Sequence, residues 1–155
     1  MYIKKIILLL FVLQSFTSIA NEKTQVLSPI NTMFDAMREH DSKKFLKQFT
    51  QEAILERATT HDEIKKSDLM KFAEFIEGSK KHLDEKLFNI KVQESGNLAS
   101  VWAPFAFYVD GKLSHCGVNS FQLIKQNEQW KIRYLIDNVY QGDCQTFIEQ
   151  HKKSR

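Results

Sequence analysis

Asp110-Gly111 interrupts a long run of apolar, aromatic and β-branched residues. Both central positions of a type I′ turn need positive φ, which Asp and Gly adopt at low cost, so the doublet predicts a tight hairpin. Its arms are Leu98 to Val109 and Leu113 to Lys125. Gln126 to Gln129 turns the chain again, and Trp130 to Tyr140 returns. Upstream, Ser95-Gly96-Asn97 reads as a turn, and Phe88, Ile90 and Val92 alternate with polar neighbours. The pattern predicts a meander of antiparallel strands over the C-terminal half.

The N-terminal half has a helical period instead. Ile30, Met33, Phe34 and Met37 form one apolar stripe, with Ser28 as cap and Pro29 at the first helical position. Asp41 caps a short second helix bearing Phe45, Leu46 and Phe49. Ala53 to Thr59 reads as a short strand and Thr60 to Lys66 as a polar loop. Ser67 caps a third helix through Leu69, Phe72, Ala73 and Ile76, and Gly78 stands where a helix end favours positive φ. Helices first and strands afterwards imply an α+β fold, with helices covering one face of a sheet.

The first twenty residues are read apart from this fold. Lys4 and Lys5 precede the apolar run Ile6 to Leu13, and Ser18-Ile19-Ala20 supplies small residues for a cleavage site. This is the three-part pattern of a secretory signal, and the run is far shorter than the roughly 20 residues a spanning helix needs. The expectation is export to the periplasm or medium, cleavage after Ala20, no stable membrane anchor afterwards, and one domain over 21–155. The net charge of +3 becomes +1 without Lys4 and Lys5 (3 − 2). That near-neutrality argues against nucleic acid as partner, since phosphate binding needs concentrated basic charge. Lys152, Lys153 and Arg155 read as a solvated tail. Cys116 and Cys144 are the two cysteines. In an exported chain they suggest a disulfide worth about 3–4 kcal/mol; the alternative is two free thiols, one of them catalytic.

Hairpin register sorts side chains between the two sheet faces. Pairing Val109 with Lys112 sets Ala106 opposite His115, Trp102 opposite Asn119 and Ser100 opposite Phe121. Pairing Lys125 with Trp130 sets Leu123 opposite Ile132, Phe121 opposite Tyr134, Asn119 opposite Ile136 and Gly117 opposite Asn138. The inward face then carries Trp102, Pro104, Ala106, Tyr108, His115, Asn119, Phe121, Leu123, Trp130, Ile132, Tyr134, Ile136 and Asn138. A slip of one residue in either hairpin moves some of these to the other side. Trp102, Tyr108, His115, Asn119, Tyr134 and Asn138 have polar tips, and several such groups on one inner face imply a concave pocket. The outward face would carry Val101, Ala103, Phe105, Phe107, Val109, Cys116, Val118, Leu135 and Val139. An apolar outer face usually meets another chain, so a homodimer through the sheet is expected.

Several stretches carry a family resemblance: Val101-Trp102-Ala103-Pro104-Phe105, Phe107-Tyr108, Asp110-Gly111-Lys112, His115-Cys116-Gly117, Phe121-Gln122-Leu123, Trp130-Lys131-Ile132, and Asp137 leading to Gly142-Asp143-Cys144. Over roughly residues 27–147 the chain resembles the nuclear transport factor 2-like superfamily, which includes ketosteroid isomerase and the SnoaL-like polyketide cyclases. The local likeness is greatest to exported bacterial members of lumazine-binding type. The resemblance implies a cone-shaped α+β barrel, its N-terminal helices packed on a strongly bent, mostly antiparallel sheet. It does not carry an activity with it. The isomerase's carboxylate base, and its oxyanion hole of tyrosine and protonated aspartate, find no match on the inward face read here. Asp137 has the wrong parity, and Asp62 stands in a charged loop.

His115 is the candidate catalytic residue, because its ordinary pKa suits proton transfer and Tyr108 or Tyr140 can orient it. Trp102, Tyr108 and Tyr134 are candidate stacking walls, with Asn119 and Asn138 as polar fixers. No histidine pair has metal-ligand spacing, and no nucleophile elbow or glycine-rich phosphate loop is evident, so neither a metal nor a cofactor is expected. Arg57 is either an anion contact or half of a surface ion pair. Three functions fit the sequence: binding of a small apolar or aromatic molecule in the cone, a cofactor-free isomerase or cyclase using His115, or a non-catalytic dimeric accessory protein.

Overall fold

The computed structural model describes residues 23–61 and 63–152. The expected signal segment and cleavage point after Ala20, together with Asp62 and the end of the basic tail, lie outside the described residues. Helix α1 covers residues 23–39 and α2 covers Ser42–Leu46. Strand β1 (Phe49–Ala58), strand β2 (Ile64–Ser67) and helix α3 (Leu69–Gly78) follow. Then come β3 (Leu83–Leu87), β4 (Lys91–Ser95), β5 (Leu98–Val109), β6 (Lys112–Gln126), β7 (Gln129–Val139) and α4 (Cys144–Lys152). The strands form one strongly curved open sheet in the order β2-β1-β7-β6-β5-β3, with β4 also on β5. Only β1 and β7 run parallel. This is the expected α+β cone.

Helices α1, α2 and α3 lie on the concave face because their apolar stripes need that cover. Val26, Ile30, Met33, Phe34 and Met37 of α1 are buried together with Ala99, Val101, Ala103, Phe121, Leu123 and Ile132 of the sheet. Fully burying side chains of this kind stabilises by roughly 1.5–3 kcal/mol each. The Phe45 ring joins Phe49 and Phe72 at centroid distances of 5.0 and 5.7 Å, which ties α2 and α3 to the start of β1.

Several local expectations are corrected. Helix α1 is already formed by residue 23, so Ser28 does not cap it and Pro29 sits inside it. Val26 and Ile30 are wholly buried on either side of that proline, and this packing holds the turn whose hydrogen bond proline cannot make. Strand β1 is longer than expected, and half of the expected loop is edge strand β2, paired with Leu55 to Ala58. Because Ser67 belongs to that strand, Asp68 caps α3, accepting from the Met70 and Lys71 N–H groups at 2.9 and 3.1 Å. Gly78 does not have positive φ; α3 ends in an extended Ser79. The Asp110 and Gly111 φ values of 50° and 75° confirm the first hairpin turn, and Asn127 and Glu128, at 49° and 60°, make the second.

The alternating stretch around Phe88 is two strands. Strand β4 pairs with β5 up to Trp102, β3 pairs with it from Phe105 onward, and residues 88–90 cross between them. Pro104 stands at the handover, where a strand residue without an N–H fits. Its carbonyl accepts from the Phe88 N–H at 2.8 Å.

Two β-bulges change the register that the turns alone imply. Val109 pairs with Lys112 as expected, but Phe107 pairs with His115 and leaves Ser114 as an extra residue. Lys125 pairs with Trp130 and Leu123 with Ile132, also as expected, but Gln122 pairs with Tyr134 and leaves Arg133 extra. Each bulge flips everything beyond it. The concave face therefore carries Ala103, Phe105 and Phe107 with His115, Asn119 and Phe121, and then Leu135 and Asp137. Trp102, Tyr108, Tyr134, Ile136 and Asn138 lie on the convex face.

The disulfide is present. Cys116 and Cys144 join β6 to α4 with their Cα atoms 5.7 Å apart. Helix α4 lies over the convex face, where its Phe147 and Ile148 are buried. Asp143 holds its first turn by accepting from the Thr146 N–H and hydroxyl at 2.9 and 2.8 Å.

Candidate functional site

Five polar side chains meet on the concave face, among apolar neighbours. Asn119 is 4% exposed, and its amide donates to the Glu85 carboxylate at 2.6 Å. Asp137 is the cross-strand partner of Asn119, and Arg57 is the partner of Asp137 on β1. The Arg57 guanidinium grips Asp137 through two hydrogen bonds, the Nε–Oδ1 one at 2.8 Å. His115 completes the group. Its ring meets Phe107 and Phe105 at centroid distances of 5.1 and 5.8 Å, and its Nδ1 lies 3.1 Å from the Ser114 hydroxyl.

Glu85 also lines a cleft of about 320 Å³ between α1 and β3, with Phe34, Leu87 and Ile90 as apolar walls and Asn31, Asp35 and Arg38 as polar ones. Arg38 donates to Asp84 at 2.9 Å and to Asp35 at 2.5 Å.

The surroundings set the protonation states. Burial pushes the Glu85 carboxyl up to about 8, against the opposing help of the Asn119 hydrogen bond. At neutral pH it is largely a protonated acid, able to donate as well as accept. Burial, with the Arg57 charge added, holds His115 below the ordinary histidine value despite Asp137 nearby, so its imidazole is neutral at pH 7.

A stability prediction follows for Glu85. A carboxyl whose pKa is higher folded than unfolded binds more protons in the folded state between the two values. Its favourable contribution is therefore complete below about pH 4.5 and is lost as pH rises toward about 8. Glu85→Gln should remove this loss: the variant's melting temperature should fall less than the wild type's between the acid and alkaline ends of that window. Parallel melting curves for the two proteins would contradict the assigned protonation.

The residues expected at the site divide between the faces. His115 and Asn119 are brought together on the concave side. Trp102, expected inside, is 51% exposed on the convex side. Tyr108 stands under the Lys86 ammonium, 5.0 Å from its ring centroid, and cannot orient His115. Tyr134 donates to Glu56 at 2.8 Å, and the Asn138 side chain accepts from the Val118 N–H at 3.0 Å. The cause is the pair of bulges, which also turns Asp137 inward against the expected parity. Arg57 is half of an ion pair within the site. Glu85 was missed although the alternation of Leu83 and Leu87 in Leu83-Asp84-Glu85-Lys86-Leu87 puts it on their face.

Residues 21–140 match the family model described as "Putative lumazine-binding". The chain belongs to this lumazine-binding-like family. Solved structures, several of them described as nuclear transport factor 2-like, share its fold. One is a nuclear transport factor 2-like protein of unknown function from Shewanella baltica, with TM-score 0.61, 12% identity, and coverage of 79% of this chain and 97% of that one. A second, with a cystatin-like fold, comes from Novosphingobium aromaticivorans, with TM-score 0.64, 12% identity, and coverage of 88% and 93%. A third, described as a "Putative Scytalone Dehydratase" from the same organism, has TM-score 0.67, 11% identity, and coverage of 81% and 88%. At such identities the likeness establishes the fold alone. No curated protein matches the chain.

Proposed function

We propose that this lumazine-binding-like domain is an exported protein that binds a small planar, largely apolar molecule against the concave polar cluster and the adjoining cleft. One observation carries the reading: Glu85, held from behind by the Asn119 amide, lines an open cavity beside Phe34, Leu87 and Ile90, with further hydrogen-bonding capacity on its carboxyl group. A convergent polar pair within an apolar cavity is the usual composition of a ligand site. The family description adds the ring system to try first, a lumazine. The expected result is saturable quenching of lumazine fluorescence by the purified protein, with loss of binding on Asn119→Leu while the melting temperature of that variant stays near wild type. Absence of saturable binding, together with no melting shift from lumazine, would remove the ligand-binding reading.

A second reading is proton-transfer catalysis of isomerase or dehydratase type. It is favoured by the placement of a neutral acid, Glu85, and a neutral base, His115, on either side of Phe107 in one cross-strand row of the concave surface. Turnover of an enolisable or dehydratable probe that is lost on His115→Gln would support it; ligand binding with no turnover of any such probe would exclude it.

We also propose that two copies associate through the convex sheet face. There Ile54, Ile64, Leu98 and Trp102 are 44–60% exposed on one surface. The fold's helices cover the opposite face, and α4 covers only the end near the disulfide.

A further inference from the structure

The charges around the cleft restrict what kind of molecule it takes; this inference rests on the ligand-binding reading above. Arg38 lines the cleft, Arg57 stands in the polar cluster near Glu85, and each is already paired with carboxylates. Arg57 is held by Asp137 through two bonds, and Arg38 is held between Asp84 and Asp35. An incoming phosphate or carboxylate meets arginines whose charge is already offset, so it would either share a guanidinium with a resident carboxylate, against that group's repulsion, or displace it. The remaining groups add no positive charge. His115 is neutral at pH 7, and Glu85 is uncharged below about 8 and negative above it. Two arginines against Asp35, Asp84 and Asp137 leave the site with an excess of negative charge. What it offers freely is neutral hydrogen bonding. Asn119 keeps one amide N–H and its carbonyl, and the Glu85 acid group has a donor and an acceptor edge.

We infer that the site selects an uncharged planar heterocycle with an amide-like donor–acceptor edge, read by Asn119 and Glu85, and rejects carboxylated or phosphorylated forms of the same ring. The edge pairs with these two side chains, while Phe34, Leu87 and Ile90 provide the apolar contact. The ion pairs are then specificity elements, because they make arginines unavailable in a place where arginines would otherwise recruit anions.

Lumazine and its 6-carboxylate make the test pair, titrated by fluorescence at a mildly acidic pH where the ring of each is uncharged. The expected result is at least about tenfold weaker binding of the carboxylate, from the cost of placing an unpaired anion in a partly desolvated, net-negative site. Asp137→Asn should narrow that gap by freeing Arg57. Asp35→Asn, at a half-exposed position on α1, should narrow it by freeing part of Arg38. Equal or tighter binding of the carboxylate by the wild-type protein, or a gap unchanged in both variants, would overturn the selectivity while leaving the ligand site in place. Failure of both compounds to bind would overturn the ligand-binding reading itself, and the selectivity with it.

Discussion

Replacing Cys116 and Cys144 together by alanine should lower unfolding stability by about 3–4 kcal/mol, the chain-entropy value for closing a loop of this length. The two cysteines are 28 residues apart, so the unfolded chain gains considerable freedom when the bond is absent. The folded state is affected as well. Helix α4 has nine residues, and helices so short are marginal without tertiary support. Its Phe147 and Ile148 are buried, with Phe147 stacked on Tyr140 at a centroid distance of 4.9 Å. Pro104, Ala106 and Cys116 lie buried on β5 and β6, the two strands that α4 contacts. Urea denaturation of the double variant, compared with the wild type under reducing and non-reducing conditions, measures the effect. Reduced wild type and variant should coincide. A loss below about 1 kcal/mol would mean that α4 stays docked through packing alone, without help from loop closure.

Trp102→Glu should convert a dimer to a monomer with little change in the fold of each copy. Trp102 shares a cross-strand row with Ser120 and Ile136 on the convex face, and half of its surface is open to solvent. A large aromatic at the centre of an interface is a frequent hot spot, commonly worth 2 kcal/mol or more, and a carboxylate there adds an unpaired charge. The change in dissociation constant should therefore exceed about thirtyfold. Light scattering coupled to size exclusion reads the mass, and circular dichroism checks the fold. A wild-type protein that runs as a monomer at the highest accessible concentration would end the dimer proposal.

The same tryptophan shows where the sequence stops being informative. The positions of β5, β6 and β7, both hairpin turns and the cysteine pairing follow from local chemistry: Asp-Gly at the first turn, alternation along the arms, two cysteines in a chain with a signal-like start. Pairing is correct next to each turn, because turn geometry fixes it there. It fails beyond Phe107 and beyond Leu123, where Ser114 and Arg133 are inserted. Nothing local marks either residue as a bulge; closure of a strongly curved sheet over helices demands them. The faces of half the strand residues thus depend on curvature, a property of the whole sheet. His115 and Asn119 lie on the expected face. Asp137 departs from its expected parity because it lies beyond a bulge, and the charged neighbours of Glu85 on its short strand mask its inward position in the sequence.

Pro104 has a consequence for how such a domain diversifies. With β5 passed from one edge neighbour to another at this residue, the short crossing at 88–90 can lengthen, shorten or change its side chains without breaking any pairing among β5, β6 and β7. Ile90 on that crossing and Leu87 just before it are also part of the cavity wall. The pairing that holds the framework is thus separate from part of the cleft wall, so under the proposed ligand-binding reading the rim can change its side chains while the fold is kept.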